Sequence, residues 1–128
     1  MNAQRKKILI ADCHEEILIT LQKLLEDAGF DTTTVWTAKD FVHSLHSGAF
    51  DLVLINEYLP DARCEELLHK LDEKLLTCIF MQPRAAMASH STALAALAGR
   101  DVVCKYDYAE ILELVWQRLG GQNEGAAA

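Results

Sequence analysis

No apolar run in the sequence approaches the ~18 residues that a membrane-crossing helix needs. No secretory leader is expected either: Arg5, Lys6 and Lys7 make a basic start, but the apolar stretch behind them runs only from Ile8 to Ala11 before Asp12 interrupts it. Basic charge is scarce, with 12 Lys and Arg against 19 Asp and Glu and a formal charge of −7. An acidic surface of this kind repels phosphate backbones and anionic lipid, so neither nucleic acid nor a membrane is an expected partner. Paired cysteines are lacking: Cys13, Cys64, Cys78 and Cys104 lie far apart, form no C-x-x-C motif and read as free thiols. No internal repeat is visible. These absences lead to the expectation of a cytoplasmic protein without disulfides.

What is present is an ordinary globular composition. The 128 residues are 51% apolar and 24% charged, enough for one domain with its own core. The expected division is a domain over residues 1–119 and a flexible tail, GGQNEGAAA, over 120–128.

Short, nearly all-apolar runs recur along the chain: Lys7–Ala11, Asp51–Ile55, Thr77–Met81 and Asp101–Cys104. Runs buried on both faces lose the alternation of a half-exposed strand, as strands of a covered parallel sheet do. Thr32–Trp36 is β-branched and more polar, which suits an edge. Helical periodicity fills the gaps. Ile17, Leu21, Leu24, Leu25 and Ala28 form one stripe, stopped by Gly29. Thr37–Asp40 resembles a capping box that opens a helix to about His46. Glu65–Leu71, an Ala-rich stretch over Ala86–Leu97, and a segment capped by Asp107 with the stripe Tyr108, Ile111, Leu112, Val115 and Leu119 complete the set. This βαβαβαβαβα order predicts an α/β fold, a five-stranded parallel sheet with helices on both faces, whose ligands bind at the carboxyl ends of the strands.

The residues at those strand ends carry a resemblance. Asp51-Leu-Val-Leu-Ile-Asn-Glu-Tyr-Leu-Pro60, with Asp12 after the first strand and Lys105 after the last, is similar to the receiver domain of bacterial two-component response regulators, over about Lys6 to Leu119. The resemblance implies the flavodoxin-like fold with strand order 2-1-3-4-5. It also implies a phosphotransfer pocket: two acidic residues binding Mg²⁺, an Asp acceptor ending the third strand, a hydroxyl ending the fourth and a Lys ending the fifth. A hard cation favours carboxylate oxygens, and metal and Lys neutralise the transferred group.

This sequence departs from that pattern at most positions. Asn56 stands at the acceptor, where a neutral amide is a poor nucleophile. The acidic pair is Asp12-Cys13, and a thiol is a soft ligand for Mg²⁺. Gln82 replaces the hydroxyl, Val102 replaces the aromatic that changes rotamer in switching, Tyr106 replaces the Pro after the Lys, and Cys64 replaces a loop Gly. Asp12 alone is at best a weak Mg²⁺ site, so no cofactor is expected.

The expected reading is therefore a pseudo-receiver with a degenerate pocket of Asp12, Cys13, Asn56, Gln82 and Lys105. It would signal through protein contacts, with no catalytic residues and no enzymatic or DNA-binding output domain in 128 residues. Lys105 and Asp12 are expected to pair, with Asn56 hydrogen-bonded to both. Glu57 reads as a solvated loop charge and Asp61 as a helix N-cap. Cys13 beside His14 is one soft pair without a second and reads as an incidental thiol, and Cys104 should face away from the pocket. Ile19 and Leu114 fall off their helices' core stripes and Trp116 sits at the edge of its own. Tyr106, Leu114 and Trp116 are thus candidate anchors for a sensor kinase, a downstream signalling protein or a second copy, on the face of the Ala-rich helix, last strand and last helix. Two alternatives remain: a phosphoacceptor regulator using a deamidated Asn56 or another carboxylate, and a small-molecule or redox sensor at the strand-end pocket.

Overall fold

A computed structural model describes residues 5–74, 77–83 and 101–120. Its main elements are β1 (Lys7–Ala11), α1 (Glu15–Asp27), β2 (Asp31–Val35), α2 (Ala38–Ser47) and β3 (Leu52–Asn56). A small hairpin follows, β4 (Tyr58–Leu59) and β5 (Ala62–Arg63), then a single 3₁₀ turn over Cys64–Leu67 and α3 (Leu68–Lys74). The last described elements are β6 (Thr77–Gln82), β7 (Asp101–Cys104) and α4 (Tyr108–Leu119). The Ala-rich helix expected over Ala86–Leu97 and the tail from 121 onward lie outside the described residues.

The main sheet is parallel, in the order β2-β1-β3-β6-β7. With the hairpin strands set aside, this is the expected order 2-1-3-4-5. Every residue of β3 and all of β1 after Lys7 are buried, which explains their unbroken apolar sequence. Residues of alternate parity serve opposite layers. Ile8, Ile10, Leu52, Leu54, Ile79, Met81 and Val103 pack under α1 and α4. Leu9, Ala11, Val53, Ile55 and Phe80 pack under α2 and α3. β2 alternates between exposed and covered residues, as an edge strand does.

The helix ends follow local chemistry. The Thr37 side chain accepts a hydrogen bond from the Asp40 N–H at 3.1 Å, and Asp107 accepts one from the Glu110 N–H at 3.1 Å. Gly29 takes the left-handed conformation (φ 103°) where α1 stops, as a helix-ending glycine does. The segment expected as a helix from Glu65 is instead a 3₁₀ turn, with α3 beginning at Leu68. The hairpin β4–β5 uses up the preceding chain and delays the helix.

Asp61 caps a helix, though not the one it precedes. Its carboxylate accepts from the Ala38 N–H (2.7 Å) and the Lys39 N–H (3.0 Å), the opening amides of α2. Those backbone donors hold its carboxyl below the usual carboxylate range, the Ala38 bond being the largest cause.

Candidate functional site at the strand ends

Three residues directly beyond the strands stay locked to the sheet through their main chain. Asp12 N–H donates to Val35 O (3.2 Å), Glu57 N–H to Met81 O (2.9 Å) and Lys105 N–H to Gln82 O (2.7 Å). The ladder thus runs one residue past β1, β3 and β7 and sets the floor of the site. It also corrects the reading of Glu57 as a solvated loop charge. Held in register against β6, Glu57 is fully buried.

Asp12 and Lys105 meet on this floor, both buried. The Lys105 Nζ lies 3.1 Å from Asp12 Oδ2 and 3.3 Å from Oδ1, in hydrogen-bonding geometry toward Oδ1. Asp12 Oδ1 also accepts from the His14 N–H at 2.8 Å, which folds the loop after β1 back over the carboxylate. The pair is thus an internally neutralised ion pair, costly to break from one side because the remaining charge would stay buried.

His14 joins this pair, although sequence reasoning gave it no place in the pocket. Its Nδ1 sits 2.9 Å from Asp12 Oδ1 and 2.9 Å from Lys105 Nζ. An ammonium cannot accept a hydrogen bond, so the Lys105 contact uses the Nδ1 lone pair. The Asp12 contact, in contrast, asks Nδ1 to donate. One nitrogen cannot do both at once, so the imidazole tautomer decides which of the two contacts is the hydrogen bond. The exposed Cys13 Sγ lies 3.7 Å from the same Nδ1.

The other pocket residues do not join this cluster by hydrogen bonds. Asn56 was expected to bond Lys105 and Asp12. Its Nδ2 donates instead to Tyr58 O at 2.7 Å, because β4 returns immediately after β3 and offers a carbonyl two residues on. Asn56 Oδ1 and both polar atoms of the Gln82 side chain are buried without a hydrogen-bond partner. Cys104 is half-buried: its thiol donates to the Lys105 carbonyl at 3.2 Å, and it lines a cleft of about 470 Å³ with Pro83, Lys105, Tyr106 and Asp107. Cys13 and Cys104 are free thiols.

Val102 is half-buried and packs with the layer under α2 and α3. Of the three candidate anchors, only Tyr106 stands out into solvent. Leu114 and Trp116 are half-buried against the core of the α1–α4 layer. The apolar stripe of α4 is wider than periodicity alone suggested because α4 packs on α1 as well as on the sheet. Ile19 is exposed, as its position on α1 predicts. Tyr106 also carries a positive φ of 75°, an uncommon conformation for a bulky side chain.

A five-stranded parallel sheet in this order, with its polar cluster at the strand ends, defines a flavodoxin-like domain. Comparison with solved structures gives the narrower class. The chain is similar to the signal receiver domain of an HD domain-containing protein from Pseudomonas fluorescens Pf-5, at 24% identity and a TM-score of 0.80, covering 94% of this chain and 99% of that one. It is similar to a CheY-like response regulator receiver domain protein from Methanospirillum hungatei JF-1, at 26% identity and a TM-score of 0.78, covering 95% and 99%. It is also similar to a Thermotoga maritima response regulator solved in complex with Mg²⁺-BeF, at 23% identity and a TM-score of 0.71, covering 89% and 99%. No family model and no curated protein matches the sequence. The chain has the fold of response-regulator receiver domains. None of its described helices is long and apolar enough to cross a membrane.

Proposed function

We propose that this receiver domain signals through protein–protein contacts without aspartyl phosphorylation. The observation that supports this most directly is Asn56. The residue ending β3 is an amide whose nitrogen is engaged by Tyr58 O, so no carboxylate oxygen is presented there. Lys105, the cation that would meet a phosphoryl group, is already neutralised by Asp12 at 3.1 Å. Asp12 is paired inward, and Cys13 offers sulfur where Mg²⁺ favours oxygen. The domain on this reading has no catalytic residue and needs no Mg²⁺. It works in the cytoplasm, and its partner is a sensor kinase, a downstream signalling protein or a second copy.

The experiment is incubation with acetyl phosphate and Mg²⁺ followed by intact mass measurement. The expected result is an unmodified chain. A stoichiometric phosphoryl adduct would sink the proposal and favour the deamidated or substitute-acceptor alternative. Tyr106, the exposed aromatic beside Lys105, is the anchor assigned to the partner. Tyr106→Asp is expected to weaken self-association or partner capture at least tenfold, the effect of losing an interface hot spot worth ~1.4 kcal/mol or more. Unchanged solution size and capture would remove this surface from consideration.

A second reading, a ligand sensor at the strand ends, is favoured by one observation. The Gln82 amide is buried with neither of its polar atoms hydrogen-bonded, next in register to Cys104 on the cleft wall.

A further inference from the structure

We infer that Asp12, Cys13 and His14 form a site for a borderline-soft divalent cation of the Zn²⁺ type, held closed by the Lys105 ammonium. The inference stands apart from the signalling proposal, since it rests only on the geometry of these four residues.

The first observation is convergence. One carboxylate oxygen, one thiol sulfur and one imidazole nitrogen from three successive residues lie within 4.8 Å of one another. Successive residues on a strand would point to opposite faces. Here the chain has left β1, and the Asp12 carboxylate folds the loop back by accepting the His14 N–H. Tetrahedral Zn²⁺ with ordinary Zn–N and Zn–S bonds places N and S ligands ~3.6 Å apart. The Cys13 Sγ to His14 Nδ1 separation is 3.7 Å. The Nδ1 to Asp12 Oδ1 separation of 2.9 Å is shorter and would open to ~3.4 Å around a metal.

The second observation is that this cluster already holds a cation. The Lys105 Nζ is within 3.3 Å of Asp12 Oδ1, Asp12 Oδ2 and His14 Nδ1 together. Asp12 Oδ1 and His14 Nδ1 are 2.9 Å apart, and with Nδ1 unprotonated the Lys105 ammonium is the positive charge they share. The cluster's ligand atoms thus already face one positive charge.

The donor set decides which cation. A thiolate and an imidazole select Zn²⁺ or a similar ion over Mg²⁺ and Ca²⁺. Charge then balances: the metal's two positive charges meet one carboxylate and one thiolate, with neutral imidazole as the third ligand. On binding, the Cys13 thiol releases its proton to solvent and the Lys105 ammonium, still protonated, is displaced from Asp12 toward the cleft. Cys13 and His14 are exposed enough to admit the ion, and the fourth position is left to water or to a ligand from outside. Asn56 Oδ1, a buried acceptor without a donor, ends the strand paired beside β1.

The test is titration of the reduced full chain with Co²⁺, followed by thiolate-to-metal charge-transfer absorption, with Zn²⁺ competition for affinity. The wild type is expected to bind one ion with a thiolate band. Cys13→Ser abolishes the band, His14→Ala weakens binding about tenfold or more, and Lys105→Gln tightens it about tenfold by removing the competing charge. Cys13 and His14 are surface residues, so their variants fold even if Lys105→Gln does not. No thiolate band at millimolar Co²⁺ in the wild type would overturn the inference. So would a band that survives Cys13→Ser, which would place the metal on another cysteine, or Mg²⁺ displacing Co²⁺ at equal concentration.

Discussion

At the scale of single residues, the site depends on a few side chains whose surroundings are unequal. Lys105 is 3% exposed and Asp12 fully buried, so removing one charge strands the other. Lys105→Ala is expected to lower unfolding free energy by about 3 kcal/mol in a urea titration, whereas the half-exposed His14 can be replaced by Ala at a cost below about 1 kcal/mol. Equal losses would mean that His14, and not the ammonium, carries the carboxylate. Tyr106 makes the opposite case. Its φ of 75° suits glycine, and its ring is exposed, so Tyr106→Gly is expected to raise stability by about 0.5–1 kcal/mol. The sequence made Asp12 and Lys105 legible because each ends a recognisable strand. It hid His14, because spacing along a chain does not show where a loop folds back. It misplaced Glu57, because a charge after a strand reads as solvated unless the sheet ladder is seen to continue through it.

At the scale of elements, charge and backbone hold the parts in place. Asp61 joins the loop after β4 to the start of α2, with its pKa lowered chiefly by the Ala38 amide. A carboxylate with a folded pKa below its unfolded value stabilises above the unfolded pKa and loses that contribution as pH falls through the folded one. The thermal midpoint of wild type is therefore expected to exceed that of Asp61→Ala at pH 7, with the gap closing below about pH 4. A gap that persists in acid would assign the effect to packing. Asp101 at the start of β7 behaves alike. Two Arg118 hydrogen bonds, 2.5 and 2.6 Å, lower its pKa and tie the end of α4 to that strand. Strands were legible from their apolar runs, and two caps from Thr37 and Asp107. The hairpin was not, since two-residue strands carry too little pattern, and it shifted the start of α3.

At the scale of the whole molecule, the chain has the receiver fold, and its strand ends carry Asp12, Cys13, Asn56, Gln82 and Lys105. A parallel sheet with helices on both faces followed from alternating strands and helices together with right-handed crossovers, whereas its strand order was legible only through the resemblance to receiver domains. Beryllium fluoride with Mg²⁺ requires a carboxylate oxygen at the acceptor. Adding both is therefore expected to move the thermal midpoint by less than about 1 °C, since a ligand that does not bind cannot stabilise. A rise of several degrees would place a working carboxylate in the pocket. The main-chain bonds from residues 12, 57 and 105 to neighbouring strands have a broader consequence. They are indifferent to side-chain identity, so the platform is set before any functional group is chosen. A library randomised at the exposed Cys13 and His14 should consist mostly of folded members, and so offers a scaffold on which new binding specificities can be selected without first repairing stability.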